Sequence, residues 1–408
     1  MPRVRLESIP PQTLSIMSPV SSSASSNRHM TRIVALCATV LGVLVGCSSA
    51  PTDTSPPADQ PAPDARAPEA APSAASVQRG RARWVPARWS DLPGWEIDRT
   101  AELWPALLRG CEKPAAGWNG ICAEARRSAP ADDVSARAWL QRHLQPYRVE
   151  SLDGSDQGLI TGYFEPLIEA RRMPQARFRV PVHAPPNDLS SRKPYWTRQQ
   201  LDTLAPAQAS VRGRELAYLT DPLDLLILQI QGSGRLWLTE ADGSRRQVRV
   251  AFAGHNDQPY KSVGRWLIEQ GELRADQASW PGIKAWAQLN PQRINELMWS
   301  NPRVVFFREE PLPDPTIGPR GAQAVPLTPG RSVAIDPTSV PYGTVLWLDT
   351  TEPLSNTPLR RVVMAQDTGS AITGAVRVDY FWGWGDTAEQ QAGRTKQPLR
   401  VWVLAPRN

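Results

Sequence analysis

Residues 361–385 read RVVMAQDTGSAITGAVRVDYFWGWG. Val362, Val363 and Met364 form an apolar run that leads into Asp367. Thr368-Gly369-Ser370 marks a turn, Gly374 loosens the chain again, and Val376 and Val378 alternate with Arg377. That pattern predicts two short strands joined by a turn. The second strand delivers Asp379 into Tyr380-Phe381-Trp382-Gly383-Trp384. A carboxylate among aromatic rings is poorly solvated, so it holds its proton more tightly than in water. A raised carboxyl pKa is what a general acid working near neutral pH requires. The competing reading is that Asp367 and Asp379 both bond to backbone amides in turns.

The flanking sequence extends the strand pattern. Beyond Gly318, short strands are expected at 332–335, 344–348, 361–366, 376–380 and 399–404, separated by Gly and Pro turns, which suggests a barrel or sandwich. Upstream, residues 158–171 (GLITGYFEPLIEAR) read as one strand with Thr161-Gly162-Tyr163 at its centre. Residues 218–235 (YLTDPLDLLILQIQGSGR) read as an apolar strand ending in Gln231-Gly232-Ser233-Gly234. The Asp242-Gly243 turn joins 235–240 and 245–252 as a hairpin. Helices are expected at 101–108, after the capping pair Asp132-Asp133, at 260–270 with Gly271 as the stop, and from Ser279 and Asn290. A strand is expected at 304–307. The fold class is mainly β with some helices, and 408 residues allow a full core in about two domains.

The formal charge is +6, half of it from Arg3, Arg5, Arg28 and Arg32 against Glu7. The remainder has no basic block, so there is no case for nucleic acid. Four His among 408 residues argue against a His-based metal site. Sixteen Trp suit core filling or stacking on sugar rings. Cys111 and Cys122 flank a Pro-Gly loop. In an exported protein such a pair predicts a disulfide, with two free buried thiols as the alternative.

Arg28 to Arg32 form a positive segment before an apolar run at 33–45, too short to span a bilayer and suited to a signal peptide. The run ends in Leu44-Val45-Gly46-Cys47, which resembles a bacterial lipobox with Cys47 as the lipidated first residue. Met30 is the expected true start, and Ser48 resembles an outer-membrane sorting signal. Residues 48–83 are rich in Pro, Ala, Ser and Asp and predict a flexible tether, with the globular part opening at Trp84.

Several catalytic schemes fit the aspartates. Glycosidases usually use two carboxylates, and Asp336, Asp367 and Asp379 all sit at or near expected strand ends. Asp367-Thr368-Gly369-Ser370 also matches the DTGS of aspartic proteases, although a second D-[TS]-G is missing. Gln231-Gly232-Ser233-Gly234 is not a G-x-S-x-G elbow. It reads either as a flexible turn or as close backbone approach to a ligand.

Assembled, these residues make the chain resemble the membrane-bound lytic murein transglycosylase A family over about 89–404. The carriers are the lipobox, Thr161-Gly162-Tyr163-Phe164-Glu165-Pro166, Gln231-Gly232-Ser233-Gly234, Ala253-Gly254, Asn301-Pro302 and Gly321-Ala322 to Val325-Pro326-Leu327. Val340-Pro341-Tyr342-Gly343-Thr344 and residues 361–385 complete the set. The resemblance implies a double-psi β-barrel from 84–165 and 311–406, with a second, smaller β-domain inserted at 166–310 and a substrate groove between them. It implies Asp379 as catalytic acid/base, with Asp367 and Asp336 in support. Thr161, Tyr163, Gln231, Gly232, Ser233 and Gly234 become substrate-binding candidates. Ser370 stands where the family more often has Gly, a change expected to tune the turn.

The implied reaction cuts the β-1,4 bond between N-acetylmuramic acid and N-acetylglucosamine without water and forms a 1,6-anhydro sugar, which explains why one aspartate can suffice. The family favours exo-cleavage. No cofactor is implied. The expected partners are peptidoglycan glycan strands and a membrane reached through the lipid anchor. The expected form is a monomer able to join cell-wall enzyme complexes, as an outer-membrane lipoprotein facing the periplasm. The rivals are a non-catalytic peptidoglycan-binding lipoprotein and an aspartic-type protease.

Overall fold

A computed structural model of the chain describes residues 75–407. The expected signal segment, Cys47 and residues 48–74 of the expected tether lie outside the described residues. The tether's expected end at 83 needs correction: β1 (Val77–Arg79) and β2 (Ala82–Pro86) form a hairpin there. Its polar side chains resemble linker composition because an edge hairpin leaves most of them in water.

Two sheets carry the fold. Nine strands make the first: β1, β2, β3 (Leu144–Ser151), β15 (Lys396–Pro406), β12 (Val345–Thr351), β13 (Pro358–Asp367), β11 (Ser332–Ile335), β14 (Arg377–Trp384) and β4 (Gly158–Glu165), in that order. β15 also pairs with β4, so the sheet nearly closes into a barrel. The second has six strands in the order β10 (Val305–Pro311), β9 (Arg245–His255), β8 (Ser233–Thr239), β5 (Leu167–Arg171), β7 (Glu215–Leu219) and β6 (Val180–His183).

Helices α1 (Trp104–Gly110), α2 (Asn119–Arg127) and α3 (Asp133–His143) accompany the barrel. Their Leu107, Trp104 and Trp139 join Trp347, Met364 and Trp402 of the barrel strands in one core. Cys111 and Cys122 form a disulfide, with Cα atoms 5.3 Å apart. Between β6 and β10 run α4 (Arg198–Thr203), α5 (Ala205–Val211), α6 (Pro222–Gln231), α7 (Val263–Glu269), α8 (Trp280–Leu289) and α9 (Ile294–Ser300). The last helix, α10 (Gly385–Ala392), follows β14. Among the described residues no helix is long and apolar enough to cross a membrane.

Two expected strands differ from the structure. Residues 158–171 form β4 and β5, which belong to different sheets. Pro166 stands between them and has no N–H to donate to a ladder. Residues 218–235 are not one strand: after β7 the chain forms α6. Asp221 accepts a hydrogen bond from Leu223 N at 2.8 Å, Pro222 occupies the first turn, and Gly232 closes the helix at φ 79°. A continuous apolar run does not distinguish a buried strand from a buried helix.

Candidate active site

Asp379 lies in the middle of β14. Its register partners are Ala334 on β11 and Thr161 on β4. Ala334 in turn pairs with Asp367 at the end of β13. Directly opposed residues in a ladder share a face, so Asp367, Ala334, Asp379 and Thr161 form a row across four strands. Val378, Tyr380, Val333 and Ile335 point the other way into the barrel core. Ala334 contributes only a methyl, which leaves space between the two carboxylates.

The Thr161 hydroxyl donates to Asp379 Oδ1, and Arg377 Nη2 donates to Thr161 Oγ1 at 2.9 Å. Arg377 donates to one lone pair of the hydroxyl oxygen, while the hydroxyl's single proton is directed at Asp379. Burial raises the Asp379 pKa above the usual carboxylate range, against the Thr161 hydrogen bond and the charge of Arg377. Oδ2 of Asp379 has no hydrogen-bond partner among the described residues.

Asp367 is held differently. Its Oδ1 accepts from Ala322 N and Thr368 N, both at 2.9 Å, and its Oδ2 from the Tyr163 hydroxyl at 3.0 Å. Burial still prevails and pushes its pKa up to about 6, helped by the negative charge of Asp379. Tyr163 reaches Asp367 from β4, its ring against Phe381 with centroids 5.1 Å apart. Burial and the two aspartates hold the phenol well above its ordinary pKa.

Asp336 is buried and fully engaged. It accepts from Thr338 N at 3.0 Å, Thr338 Oγ1 at 2.6 Å and Gly374 N at 2.9 Å. Burial opposes ionisation, but these bonds keep its pKa below the usual value. Its carboxylate rivets the 368–375 turn to the end of β11, the backbone role read as an alternative for Asp367 and Asp379.

Gln231 to Gly234 lie at the link between α6 and β8. Gln231 Oε1 accepts from Phe164 N at 3.0 Å, which ties the helix end to β4. Gly232 is the left-handed cap and Ser233 opens β8. A Cβ on Gly234 would stand 2.3 Å from Leu228 Cδ1 and 3.3 Å from Pro166 Cγ, so this glycine permits packing of α6 on the strand link. Sequence reasoning missed Arg377 as a partner of Thr161. Its only sequence signal was the polar position between Val376 and Val378, two residues before Asp379.

Residues 159–308 match the protein family described as the MltA specific insert domain, and residues 331–405 match the 3D domain. Membrane-bound lytic murein transglycosylase A of Escherichia coli K12 is 31% identical over 276 residues, 66% of this chain and 71% of that protein. A solved lytic transglycosylase, LtgG, of Burkholderia pseudomallei is 43% identical and covers 81% of this chain and 97% of its own, with a TM-score of 0.57. E. coli MltA with bound chitohexaose is 25% identical, covers 80% of this chain and 95% of its own, and gives a TM-score of 0.63. The barrel with its row of aspartates, the second sheet inserted between β4 and β11, and these likenesses agree: the chain belongs to the membrane-bound lytic murein transglycosylase A family, enzymes of the peptidoglycan cell wall.

Proposed function

We propose that the chain cleaves the β-1,4 bond between N-acetylmuramic acid and N-acetylglucosamine in peptidoglycan, with Asp379 as the single acid/base, and releases 1,6-anhydro-N-acetylmuramic acid. The observation that carries this is the state of Asp379. One oxygen is fixed by Thr161, the other is unengaged, and the carboxyl is biased by burial toward its protonated form. Protonated Asp379 gives its Oδ2 proton to the glycosidic oxygen as the C1–O bond breaks and positive charge develops at C1. The resulting carboxylate then takes the proton of the muramic C6 hydroxyl while O6 bonds to C1. Atoms balance without water, so no second carboxylate is needed to activate one. General acid/base work of this kind contributes about 10²–10⁴-fold. Asp367 and Tyr163 border the sugar site, and Asp336 keeps the turn in place. The chitohexaose held by the E. coli relative supports a glycan lying across this face, in a groove between the barrel and the inserted sheet.

The test is digestion of sacculi followed by mass spectrometry. Wild type is expected to release muropeptides one water lighter than hydrolytic products. Asp379→Asn is expected to remain folded and bind glycan yet release at most about a hundredth as much; wild-type release by that variant would remove Asp379 from the role. The order in which products appear reports on exo-cleavage, which we also propose. The same reading makes the protein a monomeric outer-membrane lipoprotein facing the periplasm, tethered through Cys47. Cys47→Ser is then expected to move it from the membrane to the soluble fraction, and retention in the membrane would exclude that anchor.

A further inference from the structure

The row of residues on the catalytic face continues past Thr161. β15 enters beside β4 with Lys396 opposite Thr161 and Gln397 opposite Ile160. Ile160 and Gln397 are buried, so alternation places Lys396 on the face of Thr161 and Asp379. Neighbouring strands lie about 4.8 Å apart, so the backbone of Lys396 stands roughly 10 Å from that of Asp379. Lys396 is exposed, and its ammonium has no ion-pair or hydrogen-bond partner among the described residues. Arg377 is on the same face, two residues before Asp379, with its guanidinium on Thr161. Asp367 lies beyond Ala334 on the opposite side of Asp379. The face is therefore polarised: carboxyl groups at one end of the row, two cations at the other.

We propose that Lys396, backed by Arg377, is a carboxylate-binding subsite for the anionic substituent of muramic acid. This rests on the reading of Asp379 as the acid. A glycan of N-acetylglucosamine alone is neutral. Muramic acid adds a lactyl ether, whose carboxyl is free in peptide-stripped strands and extended by an acidic peptide in intact ones. A carboxylate is common to both sources. A lysine, a point charge on a flexible stem, can follow that group as the sugar settles. It separates muramic from glucosamine positions by charge, while Asp379 acts on the bond between them.

Binding of the full chain is measured in the Asp379→Asn background, so that turnover does not enter. The probes are chitohexaose, peptide-free glycan strands and peptide-bearing glycan strands, at low salt. Adding Lys396→Gln is expected to reduce the preference for carboxylate-bearing glycans over chitohexaose by about two- to fivefold, the upper part of the range of an exposed charge pair. Lys396→Arg is expected to restore it. Loss on both charged glycans assigns the lactyl carboxylate in stripped strands, and loss on peptide-bearing strands alone assigns the peptide. An equal change for all three probes, or none, overturns the subsite. Failure of the catalytic reading would show separately, as absence of anhydro products from the protein with Asp379 intact.

Discussion

At the scale of single residues, the site depends on where one proton sits. Thr161 donates to Asp379 and so favours its ionised form, while burial favours the protonated one. On the proposed role of Asp379 an acid must be protonated to work, so activity is expected below its folded-state pKa and is expected to be lost as pH rises through it. Thr161→Val removes the donor, raises that pKa further and shifts the alkaline limb of the kcat/KM profile to higher pH. Loss of a hydrogen bond to a charged group, about 1.5–3 kcal/mol, also lowers the rate at the optimum by roughly 10- to 100-fold. A lower rate with an unmoved alkaline limb would reduce Thr161 to a packing residue. Asp379 stood out beforehand as a candidate because aromatic residues follow it in sequence, although strand alternation turns Tyr380 and Trp382 to the opposite face. Its partners did not, since Thr161 lies 218 positions away and pairs only through the sheet.

At the scale of elements, β4 connects the two sheets. It lies against β14 on one side and continues through Pro166 into β5. Two glycines, one opening β4 and one on β8 beside Pro166, show how closely the chain packs around this connection. A Cβ on Gly158 would be 1.8 Å from the backbone oxygen of Val376, whereas one on Gly234 would meet the side-chain tip of Leu228. Overpacking typically costs about 1–3 kcal/mol. Gly234→Ala is expected within that range, because the obstacle is the tip of the Leu228 side chain and not backbone. Gly158→Ala is expected to cost more, because the obstacle is the backbone of Val376, which leads directly into β14 and Asp379. Urea unfolding midpoints of the two variants check the order, and equal midpoints would refute it. Helix α6 shows the limits of pattern reading at this scale. Its cap signals, Asp221-Pro222 and Gly232, were present in the sequence, but the apolar run between them suits either secondary structure.

At the scale of the whole molecule, a buried charge cluster joins the barrel to the inserted sheet. Glu165, at the end of β4, accepts from Arg235 Nε at 2.7 Å and Arg249 Nε at 2.5 Å. Both arginines also donate to the carbonyl of Ile317, and Arg235 to that of Pro315, in the chain returning to the barrel. The Arg235 guanidinium lies 3.8 Å from the ring centroid of Trp384 on β14. The cluster thus grips both connections between the two sheets and the strand that carries Asp379. Glu165→Gln leaves two buried guanidinium groups without their counter-ion, and removal of one partner from such a cluster costs about 3–5 kcal/mol. Thermal unfolding would register this as a clear fall in midpoint; an unchanged midpoint would show that the cluster is dispensable for stability.

The sequence by itself determined the strand-turn-strand around Asp379, the hairpin at Asp242-Gly243 and the helix caps at Asp132 and Ser279. Each depends on residues close together along the chain, where turn chemistry, capping and side-chain period act directly. Only the tertiary structure decided that Pro166 divides one apolar run between two sheets. Only it placed Asp367, Asp379, Thr161 and Lys396 in one row, and it gave Asp336 a fastening role. Those outcomes depend on the register of strands far apart in sequence, which is set by how the barrel closes and by how the side chains pack across it.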